Sequence, residues 1–256
     1  MPPFYLPKLP SILRGDDFQL STWLALGSVL SSISAFFLPS WVTVGIPALI
    51  IGKRILWTYL HATGTIKMES SAKMGRWTAI FPPKALPSEK SDTVMFILGA
   101  RTLHPMGRLA PGMKDLGQYF GAAWKEAEED REKWGYLGRA PILYGATGDG
   151  GTTMIWLTYW KSLEQLSAFA HGASHRILWD GYLAKKWPHL GIMHETYHAG
   201  SRDWENVYYN FQPYGMGSVE FPNGDDKPVS TLREVKGHQL NSMFARLGRK
   251  DGVRIL

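Results

Sequence analysis

The chain has 256 residues, enough for one domain or two small ones, and its 45% hydrophobic and 13% aromatic content is ample for a core. It holds no cysteine, which excludes disulfides and thiolate metal sites. A net charge of +6 suits nucleic acid or anionic lipid, but no basic run is dense enough for nucleic acid, and basic residues flank the apolar N-terminal segment, which favours a lipid surface.

Residues 1–17 carry four prolines and cannot form a long helix. From Phe18 to Gly52 there is no charged residue, a run of 35 positions, against the roughly 20 that a hydrocarbon core requires. Pro39 and Pro47 interrupt it. Trp23–Leu38 reads as one helix, and Val42–Ile51, continuing through Ile55–Leu60, as a second. Trp23, Trp41, Trp57 and Tyr59 suit a membrane interface, and Lys53 and Arg54 suit headgroups. A cleaved signal peptide does not fit, because the apolar part starts late, is too long and lacks a small-residue cleavage site. A hairpin that enters the bilayer and returns fits the central Pro39 better than a single span. The alternative is a hairpin buried in a soluble protein, which the many Ser and Gly residues allow.

Residues 61–92 read as a connector, with a loop over Phe81–Asp92. Thr93–Thr102 is an apolar run of strand length, Asp115–Trp134 a helix with an acidic solvated face, and Tyr136–Thr147 a second strand. Gly148-Asp-Gly-Gly151 marks a hairpin turn before a third strand, Thr152–Trp160. Ser162, with Gln165 three residues on, is an N-cap signature for a helix running to about Lys186. Leu190–Ala199 and Trp204–Gln212 follow as strands, and residues 221–256 as an irregular basic tail with one short helix around Gln239–Leu247. The order β-α-β-β-α-β with an added strand predicts an α+β, ferredoxin-like α/β barrel domain over residues 93–220, behind an N-terminal hydrophobic helical hairpin in residues 1–60.

Five of the eight histidines fall between Trp156 and Phe211. On the predicted helix, Leu163, Leu166, Ala170, Ala173 and Ile177 share the face expected to pack on the sheet. His171, His175 and Trp179 form a separate ridge at i, i+4, i+8. On the strand, His194, Thr196 and His198 point to one face, and Glu195 and Tyr197 to the other. Trp204, Glu205, Tyr208 and Asn210 are expected alongside. A neutral imidazole can take a proton near working pH, a carboxylate such as Glu195 or Glu205 can fix its tautomer, and Asn or Tyr can stabilise an oxyanion. His194-Glu-Thr-Tyr-His198 matches the zinc-protease pattern literally, yet it reads as a strand, where i and i+4 lie roughly 13 Å apart. A purely structural, hydrogen-bonded role for these histidines is the plain alternative, and a haem held by a helix histidine is another. No nucleotide or flavin motif stands in a suitable context.

Three segments together, Trp160-Lys-Ser-Leu-Glu-Gln-Leu with Phe169-Ala-His171 and His175, then His189-Leu-Gly-Ile-Met-His194-Glu-Thr-Tyr197, then Trp204-Glu-Asn-Val-Tyr208-Tyr-Asn210, resemble the fumagillin polyketide monooxygenase-like family (the DUF4188 group) over about residues 55–220. The resemblance implies the antibiotic-biosynthesis-monooxygenase class, with a dimeric α/β barrel of ferredoxin-like units, and therefore a homodimer. It implies secondary-metabolite biosynthesis and a membrane segment that holds the catalytic domain on the cytosolic side of the endoplasmic reticulum. It implies oxygenation of an apolar polyketide or terpenoid with no flavin or metal, the deprotonated substrate itself passing an electron to O2. The class also includes haem-binding aldoxime dehydratases, and the scaffold suits cyclases and isomerases (Diels–Alder type included). A non-catalytic lipid or metabolite carrier is the reading from another class. His175, His194 and Glu195 are the expected catalytic residues, and His171, Trp179, Tyr197, Trp204, Glu205, Tyr208 and Asn210 the expected substrate contacts. The expected cofactor is none, with haem as the alternative.

Overall fold

A computed structural model describes residues 15, 18–66, 72–82, 92–146, 151–200, 203–223, 226–235 and 242–247. The proline-rich start, most of the loop before Asp92, the Gly148–Gly150 part of the predicted turn and the end of the basic tail lie outside them. The chain divides into two compact units, Phe18–Ser71 and Ala72–Leu256.

The first unit consists of α1 (Leu20–Ser34) and α2 (Ser40–Ala62). Pro39 is the residue before α2, and Pro47 lies inside it. Neither helix contains a buried residue, although both are apolar. At 23 residues α2 is long enough to cross a bilayer, whereas the 15 residues of α1 are not.

The second unit is built on β2 (Thr93–Thr102), β3 (Tyr136–Arg139), β4 (Leu143–Ala146), β5 (Thr152–Trp160) and β6 (Leu190–Ala199), with strand order β3-β5-β2-β6 and β4 also paired to β5. All of these pairings are antiparallel. This is the ferredoxin-like arrangement expected from the element order. Where one strand over Tyr136–Thr147 is predicted, the ladder is divided at Ala140-Pro141-Ile142, because proline has no N–H to give it.

One face of this sheet is covered by α3 (Met113–Glu129), the short α4 (Arg131–Trp134), α5 (Leu163–Ala170) and α6 (Ala173–Leu183). Period-2 alternation sends Val94, Phe96, Leu98, Met154, Trp156 and Trp160 to that face, where they meet Leu116, Trp124, Phe169 and Leu178. The single helix expected over Ser162–Lys186 is broken. Ser162 Oγ caps α5 by accepting from Gln165 N at 3.3 Å, as the sequence indicates. The helix then ends at His171, whose ring Nδ1 donates to the Ser167 carbonyl at 2.7 Å, and Gly172 at ψ 162° restarts it. On α5 Leu166 and Phe169 are buried and Leu163 is exposed, and beyond the break Leu178 is buried while Ile177 is exposed.

The opposite face carries Met95, Leu137 and Tyr159, which pack on a second core with Phe81, Met216 and Leu232. Around it runs a three-stranded sheet in the order β10-β1-β7, from β1 (Lys73–Ala79), β7 (Tyr208–Phe211) and β10 (Leu232–Glu234). The stretch read as connector thus supplies a strand. So does the stretch read as irregular tail, which also holds the hairpin β8 (Glu220–Asn223)–β9 (Asp226–Ser230) and the short α7 (Met243–Arg246). Asn206 joins this region to β1. Its side chain accepts from Ala79 N at 2.6 Å and donates to Ala79 O at 3.0 Å.

Candidate active site

Between the five-stranded sheet and α3, α5 and α6 lies a cavity of about 500 Å³. The sheet supplies Phe96, Leu98, Trp160, Ile192, His194 and Thr196, and the helical layer supplies Phe120, Trp124, Phe169, His175, Trp179 and Tyr182. Trp187 and Leu190 are also in the lining. It is overwhelmingly apolar and of the size that encloses a small organic molecule.

Two imidazoles enter this wall from different elements. His175 is half-buried near the start of α6, with its ring 6.3 Å from that of Phe169 and its Nδ1 buried without a hydrogen-bond partner. His194 comes from the middle of β6, tilted at 5.6 Å over Phe96. Burial lowers the pKa of His175. The Ala170 carbonyl opposes that shift, and the neighbouring His171 and His194 reinforce it. A neutral, proton-accepting ring in an apolar chamber is the result.

The other residues singled out by sequence are placed as follows. Trp179 lines the same cavity. His171, at the C-terminus of α5, is exposed and bonded to its own helix. Glu195 and Tyr197 project from the opposite face of β6, where the Tyr197 hydroxyl donates to Glu195 Oε2 at 2.6 Å. That bond and the adjoining carboxylate charge raise the Tyr197 pKa. His198 faces Asp92 at 3.4 Å.

Trp204, Glu205, Tyr208 and Asn210 lie with the second core and its sheet, away from the cavity. Trp204 packs edge-on against Phe81 at 6.4 Å. Glu205 accepts from Arg246 Nε at 2.6 Å. The Tyr208 hydroxyl donates to the Tyr214 carbonyl and accepts from Gly217 N, both at 2.9 Å. Asn210, at φ 49°, accepts from Gly75 N at 2.8 Å. β7, expected beside β6, pairs with β1 instead. The structure therefore brings together His175, Trp179 and His194, and does not bring the other named side chains to them.

Residues that line the cavity but were not singled out by sequence include Phe96, Leu98, Phe120, Trp160, Tyr182 and Trp187. The alternation along 93–102 and 152–160 carries the signal for Phe96, Leu98 and Trp160. Nothing local marks Trp187 or Tyr182. Among the described residues no group of three His, Cys, Asp or Glu side chains is placed to hold a metal ion. His175 would offer a ring nitrogen to a haem iron, but no Arg or Lys in this lining would pair with the haem carboxylates.

Residues 93–216 match the family model described as Monooxygenase af470-like. Monooxygenase af470 of Aspergillus fumigatus is 29% identical over 259 residues, an alignment covering 97% of this chain and 91% of that protein. Among solved structures, an aldoxime dehydratase in complex with butyraldoxime aligns at TM-score 0.36 and 11% identity over 57% of this chain, and the chain spans only 42% of the dehydratase. Protein SO0527 from Shewanella oneidensis aligns at TM-score 0.26 and 12% identity, covering 44% of this chain and 92% of that one.

Proposed function

We propose that this chain, a relative of the af470-like monooxygenases, oxygenates an apolar, weakly acidic organic substrate held in the His175–His194 cavity. The observation that carries the reading is the pair of imidazoles on facing walls of one apolar chamber, with His175 kept neutral by burial. His175 takes a proton from the bound carbon or hydroxyl acid. Ser167, Tyr182, Thr196 and His194 are lining residues whose polar groups can serve the oxyanion that forms. The apolar wall excludes water, and the flat rings of Trp179, Phe120 and Trp160 suit a planar substrate such as a polyketide, or a terpenoid of similar bulk. In a reaction without a cofactor the substrate anion is itself the reductant of O2. One oxygen atom enters the carbon that loses two hydrogens, and the other leaves as water.

Oxygen uptake by the purified full-length chain with a flat carbon acid such as anthrone tests this reading. The expected result is stoichiometric O2 consumption with one atom of ¹⁸O from ¹⁸O2 in the product. Turnover of the substrate with no oxygen consumed would overturn it in favour of a cyclase or isomerase. A Soret band in the active protein would replace the cofactor-free route with a haem-dependent one.

We also infer attachment to a membrane through α1 and α2, with the second unit on the cytosolic side of the endoplasmic reticulum. Support comes from the unburied apolar surface of both helices and the length of α2. A homodimer would cover the outer face of β6, where Met193 and Tyr197 are exposed.

A further inference from the structure

A second cavity, of about 600 Å³, lies between α3 and the β4–β5 side of the sheet. Leu116, Phe120 and Trp124 line it and the first cavity alike, so the wall between the two is one side chain thick. The three wall residues are not equally fixed. Leu116 is 3% exposed and belongs to the core. Trp124 is buried as well, with the rings of Tyr136 and Phe169 at 6.3 and 6.4 Å and the Arg139 guanidinium 5.6 Å from its centre. Removing either of these would open the core itself.

Phe120 is different. It is only partly buried, and among the described residues its one ring contact is the stack on Trp156, 5.2 Å apart at 8°. Its surroundings on α3 are open. Gly117 and Gly121 line the second cavity, and a Cβ at either position would meet nothing within 4 Å. The second cavity therefore reaches the helix backbone before and after Phe120, and the ring stands between that space and the chamber of His175 and His194. A hydrophobic wall of this kind selects by size, because each methylene that fits gains burial and each that does not is rejected.

We propose that Phe120 is a specificity-determining residue, whose ring closes the substrate chamber on the α3 side and restricts the substrate to a compact, cyclised body. A substrate carrying a long alkyl tail towards α3 would need the space that Phe120 withholds. The second cavity is the volume that a smaller residue at position 120 would join to the chamber. The proposal rests on the reading that the His175–His194 cavity holds the substrate.

The test is equilibrium binding to the full chain, in one detergent, of anthrone and of anthrones bearing straight alkyl tails from methyl to octyl. Affinity for the parent should rise with tail length to an optimum and then fall. Phe120→Ala should move that optimum to longer tails, each methylene admitted beyond the parental optimum gaining up to about fourfold relative to the parent. The shift is read as a change of rank within the series, so a loss of ring stacking common to every member does not affect it. Gly121→Leu added to Phe120→Ala should return the optimum to the parental length, because the new side chain occupies the second cavity. Circular dichroism of each variant is compared with the parent. An optimum indifferent to residue 120 would overturn the proposal, and so would an optimum that stays long in the folded double variant. Should Phe120→Ala fail to fold, Phe120→Leu decides by the same criterion, with a smaller shift in the same direction expected. If no member of the series binds the parent, the reading of the His175–His194 cavity as the substrate chamber fails and this proposal with it, whereas binding with an unmoved optimum overturns this proposal alone.

Discussion

His175 earns its assignment from surroundings rather than from sequence spacing. The ring sits among Phe169, Leu178 and Trp179 in the cavity wall, and burial pulls its pKa below the ordinary value of 6.5. Two consequences follow with determined signs. As a base it stays active at a pH where an ordinary histidine is already half protonated, and activity falls only as pH drops through its own lower value. His175→Ala should reduce turnover by about 10²–10⁴-fold at neutral pH, and whatever activity remains should lose that acidic limb in its pH profile. For stability, the unfolded ring binds a proton below about pH 6.5 while the folded ring resists it. The unfolded state therefore holds more protons between the two values, and stability declines as pH falls through that window. The thermal midpoint of the parent should drop further between about pH 7 and pH 5 than that of His175→Gln. His189 has a pKa lowered by burial and by His104 and acts in the same direction in both proteins, so the difference between them isolates His175. Equal slopes would remove the buried-neutral assignment.

At the level of elements, α6 is held in place by Trp187. Its indole is 2% exposed, lies edge-on to Tyr119 at 6.2 Å and donates to the Gly112 carbonyl at 3.2 Å. Gly181 makes room for it, since a Cβ there would stand 2.7 Å from two ring carbons. Helix propensity alone favours Gly181→Ala by about 1 kcal/mol, while overpacking a fixed ring costs roughly 1–3 kcal/mol. The clash wins, and chemical denaturation should show Gly181→Ala destabilised by about 1 kcal/mol. Gly117→Ala, in open space on α3, should instead be stabilised by up to about 1 kcal/mol. The same elements show what a sequence can carry. The strands at 93–102 and 152–160 were legible because alternation is local, and the Ser162 cap because its geometry lies within four residues. The break at His171–Gly172 was not, because it depends on Gly172 adopting an extended backbone in the middle of an otherwise helical pattern. The β10-β1-β7 sheet was not, because it joins three short segments whose pairings span more than a hundred residues. His175 and His194 were found together, and Trp204 to Asn210 were expected with them, since the motif ran on in sequence while the chain crossed to the other sheet.

On the scale of the whole chain, the two units pose opposite problems of burial. Ala72–Leu256 encloses large side chains in two cores, whereas the unit Phe18–Ser71 leaves Phe36, Phe37, Trp41 and Leu49 more than 70% exposed. Lipid is the solvent proposed for them, and the lengths constrain how they enter it. The 15 residues of α1 reach about 22 Å at 1.5 Å each, short of the roughly 30 Å hydrocarbon core. The 23 residues of α2 reach about 34 Å and could cross it. Lys53 and Arg54 argue against the crossing. They lie at the fourteenth and fifteenth positions of α2, about 20 Å along it, and in a full span both charges would sit well inside the apolar layer at considerable cost. With these two charges at the headgroups, the preceding part of α2 is about as short as α1, and the insertion proposed is a hairpin of two short arms that enters and leaves on one side of the bilayer. The full chain should float with liposomes in a density gradient, and a chain lacking residues 18–71 should remain in the dense fraction. Because the sequence has no cysteine, single cysteines at Ser21 and Thr63 report topology without background. A hairpin exposes both positions to an impermeant maleimide on the same side of sealed vesicles, whereas a span through α2 exposes only one of them.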